Sequence, residues 1–230
     1  MNMLEVYRAS ARKVFILLTV GYAMALVSFA GAATVWDGAE ITFLQPAPKP
    51  TQAMNQDRIT TNVWLTRASS KGLFNAFSET NATTLSPEGT EWAFGALTNY
   101  ASLSYSNWLA LLNGASPTTL VGQQMVLHLT GDDIYIGIEI TVWGSGGSGG
   151  FAYQRTTPVI NVSGASFSGG SFSFEYTAGP GLDYVIESSS NLVDWVSIAT
   201  NSGTGGTASF TNALGGVGPG FYRVGGSAGP

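Results

Sequence analysis

The sequence predicts an all-β protein: an antiparallel β-sandwich-like domain followed by a small β-module, behind an N-terminal signal peptide. Three observations carry this. Apolar and polar residues alternate with period two through almost every readable segment, the pattern of half-buried strands. Thirty glycines, with many Ser and Thr, break these segments at short intervals, as tight turns require. Charged residues make up only 10% of the chain, far below the figure of about 25% for an average domain.

In chain order, residues 1–32 read as the signal peptide. Arg8, Arg12 and Lys13 form a basic start, "VFILLTVGYAMALVSFA" an apolar run, and "SFAGAA" offers small residues for cleavage after Ala30 or Ala32. The run is about 17 residues, at the lower limit for spanning a bilayer, so cleavage is expected over anchoring. Residues 33–158 read as the sandwich-like domain. "TVWDGAEITF" is strand, turn, strand, with Asp37-Gly38 at a type I′ position. "RITTNVWLTRA" is one strand, "FNAFSET" opens another, and Pro87 and Gly89 mark a turn. "SNWLALLNG" is a short helix with Ser106 as its cap and Gly114 as its end. "QMVLHLT", "DIYIGIEITVW" and "FAYQRTT" are strands, and Pro158 closes the domain. Residues 159–225 carry five strand candidates at spacings near ten residues: "SFSFEY", "DYVIESS", "WVSIAT", "TASFTN" and "FYRV". Residues 226–230 read as a tail.

Composition excludes several functions. The formal charge is −5; cleavage removes a net of +2, carried by Arg8, Arg12, Lys13 and Glu5, and leaves −7. The remaining Lys and Arg are scattered, so there is no basic footprint for nucleic acid, and binding to an anionic membrane is disfavoured after cleavage. With no cysteine, disulfides, zinc thiolate sites and cysteine nucleophiles are ruled out. The expected location is secreted or at the cell surface.

The single histidine lies in "VLHLTGDDIYIGIEITVWGSGGSGGFAY". A hairpin turning at Gly131-Asp132 in a type II′ turn pairs Leu129 with Ile134, His128 with Tyr135 and Leu127 with Ile136. That register puts Leu127, Leu129, Ile134, Ile136, Ile138, Ile140 and Val142 on one face. His128, Tyr135, Glu139, Thr141 and Trp143 take the other. Turn chemistry then explains Asp132 and Asp133 without catalysis. A Ser–His–Asp triad lacks a nucleophile elbow, and one His without Cys is a poor transition-metal set. Calcium on Asp132 and Asp133, joined by a distant carboxylate such as Asp37 or Asp57, is the metal alternative, although EF-hand spacing is absent. The glycines of "GSGGSG" at 144–149 match a dinucleotide motif only formally, because a strand pattern and not a helix follows; a flexible hairpin tip is expected. Glu79, Glu88, Glu91, Asp132, Asp133 and Glu139 are available for glycoside hydrolysis, but nothing in the sequence sets two of them face to face. Among the aromatics, Tyr135 and Trp143 on the outer face, with Trp64 or Trp92, are the candidates for a sugar-stacking platform, against packing beneath a loop as the plainer reading.

Two stretches carry a resemblance. "GLFNAFSE", "SPEGTEWAFG" and "VLHLTGDDIYIGIEITVWGSGGSGGFAYQRTTP" resemble an uncharacterised exported bacterial β-domain family, in which a "DDIY" strand precedes a Gly-rich loop and "GGF-Y-R-TP". The likeness covers roughly residues 33–158. "YVIESSSNLVDWVSIAT…FYRV" resembles a small β-module at the C-termini of bacterial extracellular proteins, through Tyr184, Ser190, Asn191, Leu192, Trp195, Phe221, Tyr222 and Arg223. The resemblance implies export and a β fold; it brings no activity and no catalytic residue. The functional expectation is therefore a non-catalytic binding or structural module whose partner is an extracellular glycan or protein, with no cofactor. An extracellular hydrolase of glycoside type, working through carboxylates, is the alternative.

Overall fold

The computed structural model describes residues 33–46, 49–69, 72–145, 150–213 and 220–229. Residues 1–32, expected to be a signal peptide, and residues 146–149 of the glycine run lie outside them. Among the described residues no helix is long and apolar enough to cross a membrane.

The protein is all-β. Its largest sheet joins β1 (Thr34–Trp36), β2 (Ile41–Gln45), β6 (Thr90–Phe94), β7 (Gln124–Leu129), β8 (Ile134–Trp143) and β9 (Phe151–Arg155). The order is β2-β9-β8-β7-β6, antiparallel throughout, with β1 parallel to the start of β8. A three-stranded sheet of β3 (Asp57–Arg58), β4 (Trp64–Arg67) and β5 (Leu73–Asn75) supplies further residues to the same core. There Leu127, Leu129, Ile136, Ile138 and Ile140 meet Leu65, Leu73 and Ile59. The β7–β8 pairing has Leu129 opposite Ile134, His128 opposite Tyr135 and Leu127 opposite Ile136, the register that the alternation predicts.

Four local expectations are corrected. Asp37-Gly38 is not a hairpin turn: β1 pairs with β8 and β2 with β9. Gly38 instead permits a close backbone approach, since a Cβ there would lie 2.7 Å from the Thr157 carbonyl oxygen. The single strand expected over 58–68 is two, β3 and β4, folded back on each other. The helix α1 (Trp108–Leu112) is capped by Asn107, whose side chain accepts from the Ala110 N–H, and not by Ser106. At the β7–β8 turn it is Asp133, at φ 49°, that takes the left-handed conformation, and not Gly131. Thr130 to Asp133 thus form a four-residue loop instead of a two-residue type II′ turn.

The chain beyond Pro158 forms two more three-stranded sheets, ordered β10-β11-β14 and β13-β12-β15. Their strands are β10 (Val162–Ser168), β11 (Ser171–Thr177), β12 (Leu182–Ser189), β13 (Val196–Ser202), β14 (Thr207–Ala213) and β15 (Phe221–Ala228). One strand more than expected is present, β10, and β15 runs into the tail, pairing Gly226, Ser227 and Ala228 with β12. Phe174, Tyr176, Leu182, Tyr184 and Ile186 make the core here, together with Ile41 of β2. The two regions touch through glycines: Gly181, at φ +71°, has no room for a Cβ against the Arg58 carbonyl, and Gly179 lies against the Pro158 ring.

Candidate functional site

The outer face of the large sheet is where polar chemistry gathers. Pairing of Glu91 with His128, His128 with Tyr135, Gln124 with Glu139 and Glu139 with Gln154 sets these side chains in adjacent rows on that face. The segment from Leu97 to Tyr105, including a 3-10 turn at Leu97–Ser102, covers part of it.

Under this cover His128 is half-buried and stacked on Tyr135, with ring centroids 4.2 Å apart and planes within 5°. Tyr105 meets both rings edge-on at 5.7 Å, and Tyr100 lies 4.7 Å from Tyr135. The Tyr105 hydroxyl donates to the Tyr100 carbonyl. His128 Nε2 is 3.1 Å from Asp133 Oδ1, and Nδ1 is 3.6 Å from Glu91 Oε2. Burial, helped by the neighbouring Tyr135 and Tyr100, pushes the Tyr105 phenol up to about 12. Burial and then the Asp133 charge raise that of Tyr135. A triad histidine needs one nitrogen on a carboxylate and the other on the nucleophile; here both nitrogens face carboxylates.

Beside this cluster is a cleft of about 140 Å³. Its polar lining is Glu40, Gln124, Glu139, Gln154 and Thr156, with Gly137 as floor and Leu97 as wall. A Cβ at Gly137 would lie 3.3 Å from Thr156 Cγ2 and 3.5 Å from Leu97 Cβ, so the floor is set by crowding. Thr156 Oγ1 accepts from the Gly137 N–H. Glu40, Gln124, Glu139 and Gln154 make no side-chain hydrogen bond or ion pair in the described structure.

The aromatics expected to form a platform are not brought together. Trp92, opposite Leu127, is fully buried in the core and offers no face to a ligand. Trp143 turns inward because the register shifts between Ile140 and Val142. The bulge moves Val142 out to 52% exposure and puts Trp143 against Trp108, with the Arg67 guanidinium 4.0 Å from its ring centre. Trp64 stands on the smaller sheet, with Arg58 over its ring and Phe77 at its edge. Only Tyr135 remains on the outer face, covered by Tyr100 and Tyr105, which the sequence reading did not single out. The parity that places Glu139 on this face could also have found Gln124 and Gln154; the covering tyrosines lie in irregular chain with no such signal.

The carboxylates are dispersed. Asp132 accepts from Thr60 Oγ1 at 3.0 Å and Asn62 Nδ2 at 3.2 Å, while Asp133 turns to His128. Asp57, named as a distant calcium ligand, is held instead by Arg155 and Tyr153 in the core. Among the described residues no group of three or more His, Asp or Glu is placed to hold a metal ion. Glu79 accepts from the Asn75 and Glu88 backbone N–H groups and from the Ser86 hydroxyl, which makes it a loop anchor.

No family profile, curated protein or solved structure matches this chain.

Proposed function

We propose that this chain is a non-catalytic binding module acting outside the cell, and that the outer-face cleft takes a carbohydrate chain. The observation that carries the reading is the cleft itself. Four long polar side chains, Glu40, Gln124, Glu139 and Gln154, line one concavity and make no side-chain hydrogen bond or ion pair among the described residues. Carboxylate and amide groups are the acceptors and donors that sugar hydroxyls pair with, and the glycine floor lets a ligand come close to the sheet. The basic start and apolar run of residues 8–30 support export. The two carboxylates at the nitrogens of His128 speak against a serine-type nucleophile.

A second reading, a glycoside-type hydrolase, has one observation in its favour: Glu40 and Glu139 line the same cleft, and such enzymes work with paired carboxylates. A polysaccharide array, run with a reducing-end assay on every glycan that binds, separates the two. Binding without release of new reducing ends is expected. Turnover that disappears in Glu139→Gln would establish the hydrolase instead, and an array with no hit would remove the carbohydrate reading.

A further inference from the structure

A second cleft lies at the start of α1, and it shares no residue with the one above. Trp108 begins this helix and is 2% exposed, edge-on to Trp92 at 4.9 Å and stacked on Trp143 at 6.0 Å. An indole N–H can only donate, and buried donors in folded proteins nearly always find an acceptor. The buried Trp108 Nε1 has none among the described residues.

This nitrogen lies on the side of the ring that faces Gly72. A Cβ built there would sit 3.3 Å from Nε1, closer than to any other atom. Gly72 and Trp108 share the wall of a cleft of about 310 Å³ with Leu73, Ala82, Thr83, Thr84 and Leu109. Most of that wall is apolar, and the Thr83 hydroxyl is already engaged with Ser86. Apart from the chain next to it, only the indole edge of Trp108 lies within 4 Å of a Cβ built at position 72, so the unpaired donor borders the space beside this glycine.

We infer that this cleft is a binding site for a small apolar group bearing one hydrogen-bond acceptor, of the aryl-ketone or ester kind, with the acceptor on the Trp108 N–H. The apolar wall holds the ring or short chain, and the carbonyl enters beside Gly72. Specificity comes from the donor: an isostere without the carbonyl leaves the N–H as unpaired as before.

The test uses the full chain, labelled with ¹⁵N at the tryptophan indoles, and the pair acetophenone and ethylbenzene, which share a carbon skeleton and differ in the carbonyl oxygen. Loss of one indole resonance in Trp108→Phe assigns the signal. Acetophenone should move that resonance downfield and bind about fivefold tighter than ethylbenzene, the ratio expected for one net hydrogen bond. The preference should vanish in Trp108→Phe. It should vanish equally in Gly72→Ala, which sets a methyl 3.3 Å from Nε1 and leaves the indole in place; this variant decides the matter if Trp108→Phe does not fold. Failure of both probes to bind, equal affinities with an unmoved resonance, or a preference that persists in Gly72→Ala would each overturn the assignment.

Discussion

Asp57 joins the two sheets of the first core from inside. Arg155 Nε and Nη2 bond its carboxylate oxygens at 2.6 and 2.9 Å, and the Tyr153 hydroxyl adds a third bond at 2.6 Å, all three residues being at most 1% exposed. Burial works to strip the proton from Arg155, but Asp57 outweighs it and the guanidinium pKa is raised. The same burial, with the Asp57 charge, drives the Tyr153 phenol well up. Removing one partner of such a pair leaves a buried charge uncompensated, so Asp57→Asn should cost about 3–5 kcal/mol of stability, read from urea unfolding. Tyr153 and Arg155 stood out in the sequence as part of "GGF-Y-R-TP", but nothing local showed that they serve an aspartate 96 and 98 residues away. The turn aspartates divide in the same way. Their place between β7 and β8 was legible from parity but the turn's conformation was not, and Thr60 and Asn62, the partners of Asp132, lie in the distant connection between β3 and β4. Asp132→Asn keeps one acceptor oxygen and should cost about 1 kcal/mol. Since protein groups already satisfy this carboxylate, melting curves of the wild type are expected to coincide with calcium and with chelator; a calcium-dependent rise lost in Asp132→Asn would establish the metal site.

Among the elements, the β7–β8 hairpin shows how far period two reaches. From Leu127 to Ile140 the alternation gives the buried face correctly, because both strands are regular and one face must leave water. Beyond Ile140 it fails, because a bulge adds a residue and reverses the parity. The two sides of the bulge therefore respond differently to truncation. Ile136→Ala, at full burial, should cost about 2–5 kcal/mol through lost transfer energy and the cavity left behind. Val142→Ala, half exposed, should cost well under half of that, and similar costs for the two would contradict the bulge. Pairings between distant segments, such as β1 beside β8, were not legible at all. They are set by which strand edges remain open once the local hairpins form, and a single sequence carries no local mark of it.

At the scale of the whole molecule, buried phenols couple stability to alkaline pH. The pKa values of Tyr105, Tyr135, Tyr153 and Tyr184 are all raised, that of Tyr105 to about 12. A phenol in the unfolded chain titrates near 10. Below that pH both states keep the proton and the native packing is undisturbed. Above it the unfolded chain gives up protons that the folded chain retains, so stability falls as pH rises through 10 toward 12. Denaturant midpoints measured from pH 8 to 12 should show this decline, and Tyr105→Phe should make it shallower. The fold class was legible as a whole because it rests on alternation and turn composition, which every segment repeats. The cleft was legible only in part: Glu139 was assigned to the outer face, but the concavity exists because Leu97 and its neighbours fold over that face, and no periodic signal marks them.

The claim that the outer-face cleft is the binding site is tested most directly by residue-resolved amide spectra of the full chain, titrated with the tightest-binding glycan of the array. Perturbations are predicted to concentrate at Gln124, Gly137, Glu139, Gln154 and Thr156, and binding is predicted to weaken at least about tenfold in the double variant Glu139→Ala, Gln154→Ala, the loss of roughly 1.4 kcal/mol that removing two hydrogen-bonding side chains brings. Perturbations confined to the sheets beyond Pro158, or an affinity unchanged in the double variant, would contradict it.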